Sequence, residues 1–177
     1  MSASSICACI CEGNAERAII NLLLENNALI FSKDDLLGGE IIKKRDAHSF
    51  EEDYLNASIN KKIKVYRILD SRKEAFKLRK VYERKVEVIN VITAPEIEML
   101  IIIAEGKVND FRKRNMKPSE YCKNVLRLGS VKNAEFIKEY FHDFELLKFS
   151  LYEYKRITHK AHQKEMTIAD LLKEDHV

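Results

Sequence analysis

Ser5-Ile6-Cys7-Ala8-Cys9-Ile10-Cys11-Glu12-Gly13-Asn14-Ala15-Glu16 reads as a strand, a turn and the start of a helix. Residues 5–11 are short, apolar and bounded by Gly13. Apolar side chains then recur at Ala18, Ile19, Leu22 and Leu23, the spacing of an amphipathic helix over 15–25. The alternation returns downstream. Residues 64–69 read as a buried strand with Asp70 at its C-terminal end, and a helix is expected over 73–84. Residues 86–92, rich in β-branched side chains, predict another strand, and Thr93 and Pro95 mark the start of a helix over 96–107. Between these, 28–32 reads as a further short strand, 33–47 with its Gly38-Gly39 pair as a loop, and 50–58 as a short helix.

Strands alternating with helices predict an α/β fold, a mostly parallel sheet flanked by helices. Beyond Pro118 the pattern changes: 119–128, 133–159 and 167–173 are all helical in period. The expected organisation is therefore an α/β domain over 1–115 and a helical C-terminal extension over 116–177.

A chain of 177 residues with 46% hydrophobic and 33% charged residues, 5 Gly and 2 Pro is neither collagen-like nor disordered in composition. Its longest central apolar run, 97–104, is interrupted by Glu98 and is far shorter than the ~18 residues a membrane helix needs. The N-terminus lacks the basic stretch and small-residue cleavage site of a signal peptide, so the expected location is cytoplasmic, with no membrane partner. Cysteine usage fits a reducing compartment. Cys7, Cys9 and Cys11 would share one face of a strand rather than pair, and Cys122 is distant; small buried apolar side chains on a central strand are expected. Neither paired C-x-x-C spacing nor a nearby His supports zinc.

Charge is local rather than global. Residues 1–60 hold 5 Lys/Arg against 10 Asp/Glu, residues 61–85 hold 11 against 3, and the remainder balances at 15 against 15. The basic segment comprises Lys61, Lys62, Lys64, Arg67, Arg72, Lys73, Lys77, Arg79, Lys80, Arg84 and Lys85. Such a face neutralises phosphates, or is simply a solvated surface.

In parallel α/β sheets ligands bind outside the C-terminal ends of the strands. Glu12, Asp70, and Glu96 with Glu98 all fall at such ends, and carboxylates converging on one edge are what a hard divalent cation requires. Phosphodiester chemistry is the natural use of that ion. Each residue also has a structural explanation. Glu96 and Glu98 would complement the dipole of a first helical turn, Asp70 would cap the following helix, and Glu16 either faces the same edge or is a first-turn acid.

At these residues the chain resembles a known family. The run Cys9-Ile10-Cys11-Glu12-Gly13-Asn14-Ala15-Glu16 is similar to the opening of the TOPRIM domain, where a strand ends in Glu-Gly before a helix. Ile68-Leu69-Asp70-Ser71-Arg72 resembles that domain's strand-terminal Asp motif. Thr93-Ala94-Pro95-Glu96-Ile97-Glu98 is similar to the Pro-x-x-Glu start of a helix in the RloB-like and OLD-related branches, which occur in bacterial defence loci. The resemblance covers about residues 5–115. It implies a TOPRIM-like fold, a metal-dependent nuclease or phosphoryl-transfer activity on nucleic acid in anti-phage defence, and Mg²⁺ or Mn²⁺ as cofactor. Glu12 would then be a general acid/base or metal-associated carboxylate and Asp70 a metal ligand, with Glu96 or Glu98 assisting. One departure stands out: the family carries a second acid two residues after its Asp, where this chain has Arg72. A cation there repels Mg²⁺ or replaces it as a fixed charge against phosphate.

Two readings follow. The first is the metal-dependent enzyme using Glu12 and Asp70. The alternative is a catalytically degenerate module in which Arg72, Lys73, Lys77 and Lys80 bind nucleic acid or nucleotide, or which binds a partner protein. A companion protein or a second copy would dock on the helical C-terminal part. There Phe141, Phe144, Leu147 and Leu151 recur at core or dimer-seam spacing. Tyr121, Tyr140, Phe149, Tyr152 and Tyr154 add aromatic surface for packing or base stacking. His159 and His162 share a helical face without an evident acidic partner, so solvent exposure is expected.

Overall fold

The computed structural model describes residues 6–56 and 61–174. Strands β1 (Ile6–Cys11), β2 (Ile63–Leu69) and β3 (Val86–Ile92) form a three-stranded parallel sheet in the order β1-β2-β3. Their C-terminal ends lie level, with Cys11 opposite Ile68 and Leu69 opposite Ile92. Helices flank this sheet, as an α/β chain requires.

Helix α1 (Asn14–Glu25) follows β1, and α2 (Ala47–Phe50), capped by the Asp46 carboxylate, runs on into a π-turn over Glu51–Leu55. After β2 come α3 (Lys80–Glu83), then β3 and α4 (Met99–Ala104). The remainder is α5 (Val108–Arg112), α6 (Pro118–Asn124), α7 (Ala134–Tyr140) and α8 (Phe144–His159), with a final 3-10 turn over Ile168–Leu171.

The period-two alternation of β1 splits its side chains between two layers. Cys7, Cys9 and Cys11 point into a large core with α1, α4, α6, α7 and α8, while Ala8 and Ile10 meet Phe50, Leu55 and Leu78 on the opposite face. All four cysteines are buried and unpaired, and burial pushes the Cys7 and Cys122 thiols up to about 12. β1 is an edge strand rather than the expected central one. Its outer edge is covered by the 36–42 segment, where the Cys11 N–H donates to the Ile42 carbonyl at 3.1 Å and the Ile42 N–H to that of Cys9 at 2.8 Å.

Several elements differ from expectation. The 28–32 stretch does not join the sheet; Leu29 makes an isolated antiparallel bridge with Leu172, and the Ile30 N–H donates to Leu171. Its ladder partner is the C-terminal tail. The expected 96–107 helix begins only at Met99 and ends before Gly106, whose φ of 65° suits glycine and whose N–H closes the last turn on Ile103. The expected 133–159 helix is broken at 141–143, because the Asp143 side chain accepts the Glu145 and Leu146 N–H groups and starts α8 anew. The 167–173 helix shrinks to its 3-10 turn. Ser5 of the first strand and residues 57–58 of the short helix lie outside the described residues.

The largest correction concerns 73–84. Helix occupies only Lys80–Glu83, and 71–79 is an irregular strap with neither helix nor strand. The cause is Arg67 on β2, whose side chain is 1% exposed. Its guanidinium donates to the Glu74 backbone carbonyl, the Glu74 carboxylate and the Asn90 side chain, each at 3.3 Å, and sits 4.6 Å from the centre of the Phe76 ring. These contacts tie the strap down over β2, with Glu74, Phe76 and Leu78 turned inward at alternate positions.

Candidate carboxylate cleft

The level strand ends bring three loops together at one rim. Gly13 follows β1, Asp70 follows β2, and the turn before α4 carries Glu96 and Glu98. With Glu16 and Lys132 they line a cleft of ≈ 230 Å³. Asp70, Glu96 and Glu98 thus meet as the spacing of strand ends led us to expect, and the β1-side acid beside them in the cleft is Glu16. Glu12 lies outside this lining and is held in an ion pair by Arg45, which also stands 3.9 Å from Glu74.

Local packing explains where the Glu16 carboxylate sits. Gly13 has an ordinary extended backbone, so its role is space rather than conformation. A Cβ at that position would lie 1.9 Å from Glu16 Oε2, so the carboxylate is folded down over the glycine. Burial, with added repulsion from Asp70 and Glu12, raises the Glu16 pKa, although its own N–H and Lys132 favour the ionised form. Glu98 is 3% exposed; burial likewise raises its pKa, and Glu96 and Glu16 add to the effect. Glu96 is better served: it accepts the Ser119 N–H at 2.8 Å and lies 3.8 Å from Lys132 Nζ. Asp70 carries no hydrogen bond or ion pair among the described residues.

The basic residues divide. Lys73, Lys77 and Lys80 are exposed on the strap and on α3. Arg72 is committed elsewhere, gripping Glu165 through Nε at 2.5 Å and Nη2 at 2.9 Å. It ties the chain after β2 to the C-terminal segment, and the Arg72 guanidinium holds the Glu165 carboxyl below its usual range. The same Glu165 lies 3.6 Å from His162, and its carbonyl meets His159 Nε2 at 3.0 Å, so the two histidines do have a shared neighbour. Two other members of the basic segment are also committed to partners: Arg67 is buried, and the exposed Arg79 donates to the buried Glu51 at 2.6 Å. Of the C-terminal aromatics, Tyr121, Phe141 and Tyr154 are core residues, whereas Phe149 is 58% exposed and Tyr152 44%.

Sequence reasoning missed Arg45 and Lys132. Both sit in loops with no periodicity or motif to distinguish them from neighbouring lysines and arginines.

As a metal centre the cleft fits in donor chemistry. All four acids offer oxygen, and burial raises the pKa of Glu16 and Glu98, a cost to their ionised forms that a bound cation would relieve. The side chains as they stand are not drawn together: among the described residues, no three His, Cys, Asp or Glu side chains form a group able to hold a metal ion. Comparison with family models, with curated proteins and with solved structures finds no match to this chain. No helix among the described residues is long and apolar enough to cross a membrane.

Proposed function

We propose that this chain is a TOPRIM-like, divalent-metal-dependent protein that acts on the phosphodiesters of nucleic acid, with its centre in the carboxylate cleft. The supporting observation is the meeting of Glu16, Asp70, Glu96 and Glu98 at the C-terminal ends of three parallel strands. Asp70 and Glu16 would hold the ion, with Glu96 or Glu98 completing the oxygen set. A bound Mg²⁺ or Mn²⁺ supplies Lewis acidity toward a phosphoryl oxygen and lowers the pKa of a water. The protein's own contributions are distinct. Lys132 offsets the acids until the cation arrives, burial and then the neighbouring acids raise the Glu98 pKa, and Arg45 pairs with Glu12 beside the rim. Lys73, Lys77 and Lys80 extend a cationic track for the phosphate backbone. The role in anti-phage defence rests on the motif resemblance alone.

A second reading, a binding module without catalysis, is favoured by two observations. Arg72 stands where the resembling family has an acid, and the carboxylates are not gathered into a ligand set.

Labelled DNA and RNA incubated with Mg²⁺ or Mn²⁺ separate the readings. For the enzyme, cleavage is expected in wild type and a loss of about 100-fold or more in Asp70→Asn and in Glu16→Gln. Cleavage that survives both substitutions refutes the site. Salt-sensitive binding without cleavage, weakened by a Lys73→Gln/Lys77→Gln/Lys80→Gln variant, supports the module.

A further inference from the structure

A second cavity of ≈ 230 Å³ is lined by three cations from separate parts of the chain. Arg17 comes from the first turn of α1, Lys33 from the 3-10 turn Lys33–Asp35, and Lys43 from the loop after the Ile42 bridge. The lining has one acid, Glu40, and Asn21 contributes a side-chain amide. Neither Lys33 nor Lys43 has an ion pair or side-chain hydrogen bond among the described residues.

Arg17 makes the site more than a pair of surface lysines. One arm of its guanidinium, Nη2, donates to Asn14 Oδ1 at 2.9 Å. Its Nε is shut off from water and has no acceptor. The remaining nitrogen, Nη1, has no hydrogen-bond partner among the described residues and is not walled off as Nε is, which leaves a charge-assisted donor for an anion in the cavity that Arg17 lines. Consecutive residues on a helix diverge by about 100°, so Glu16 and Arg17 serve different sides of the same turn. The acidic cleft and the cationic cavity are therefore neighbours with opposite charge preference.

We propose that the Arg17–Lys33–Lys43 cavity is an anion site that takes a phosphate group, distinct from the carboxylate cleft. The cavity volume suits a compact oxyanion, and a guanidinium flanked by two ammonium groups is the donor set that phosphate recognition uses. The phosphate is either that of a nucleic-acid strand or that of a free nucleotide.

The test is calorimetric titration of the full chain with inorganic pyrophosphate at low ionic strength, with chelator present so that the carboxylate cleft plays no part. Saturable binding is expected, weakened about tenfold or more in Arg17→Gln and in the Lys33→Gln/Lys43→Gln variant, and unchanged in Asp70→Asn. The double variant alters exposed side chains only, so it remains informative if Arg17→Gln fails to fold. A trinucleotide with and without a 5′-phosphate then distinguishes the sources. A preference for the phosphorylated form that Arg17→Gln abolishes assigns a terminal phosphate, and equal binding that Arg17→Gln abolishes assigns the backbone. Absence of pyrophosphate binding in wild type, or binding indifferent to all three cations, overturns the site. Because metal is excluded, failure here leaves the carboxylate reading standing, and failure of cleavage leaves this one.

Discussion

Glu16 and Glu98 show how a carboxyl group records its surroundings. Both are pressed above the ordinary glutamate value of 4.5, first by burial, with Asp70 and Glu12 adding to the shift at Glu16 and Glu96 and Glu16 to that at Glu98. The sign of the consequence is fixed. Below that value the carboxyl is protonated in folded and unfolded chains alike, and it costs nothing. As pH rises, the unfolded chain ionises first, so the folded state loses stability until its own raised pKa is passed. Glu98→Gln, with no proton to lose, is therefore expected to melt at a higher temperature than wild type near pH 7 and at the same temperature near pH 4. Scanning calorimetry at the two pH values checks this, and a wild type more stable than the variant near neutrality contradicts it. Gly13 belongs to the same scale: it is kept small by the carboxylate lying on it.

Among the elements, the 71–79 strap is the most informative. Its lysines suggest a basic helix, yet the inward residues Glu74, Phe76 and Leu78 are spaced by two, the period of extended chain. That signal is short and is masked by good helix formers around it. What overrides propensity is the buried Arg67, which needs the Glu74 carbonyl and carboxylate, and a helical backbone would keep that carbonyl for itself. Burial depresses the Arg67 pKa, and Glu74 counteracts this. Glu74→Ala leaves the guanidinium without its anion and is expected to cost about 3 kcal/mol in denaturant unfolding, with Glu74→Gln costing less. A loss under about 0.5 kcal/mol in the alanine variant would show that the strap does not depend on this pair.

At the scale of the molecule, the sheet's helical face and the C-terminal helices share one core. Ile19, Leu100, Tyr121, Leu147 and Leu171 belong to a single buried cluster. The tail is also stitched back to earlier elements, through Leu29 with Leu172, Ile92 with Met166 and Arg72 with Glu165. Each buried apolar side chain contributes about 1.5–3 kcal/mol by transfer, so removing the residues after 115 would strip several such contributions and bare the face of α4. A fragment of residues 1–115 is therefore expected to lack a cooperative thermal transition, whereas the whole chain has one. A fragment that melts cooperatively would establish the sheet region as self-sufficient.

Local order was legible in the sequence wherever periodicity and punctuation agree. β1, β2 and β3, helix α1 and the parallel α/β class follow from apolar period and turn residues, because those patterns are set by neighbours along the chain. The strand-end logic also found Asp70, Glu96 and Glu98, since a parallel sheet brings such ends to one rim. Tertiary structure alone decided which β1-side acid lines the cleft. Glu12 and Glu16 are equally acidic in sequence, and only the Arg45 ion pair and the space above Gly13 separate them. It likewise decided that Arg72 grips Glu165 and that Arg67 lies inside, because a side chain's partner 93 or 7 residues away is set by packing in three dimensions and leaves no trace in local spacing.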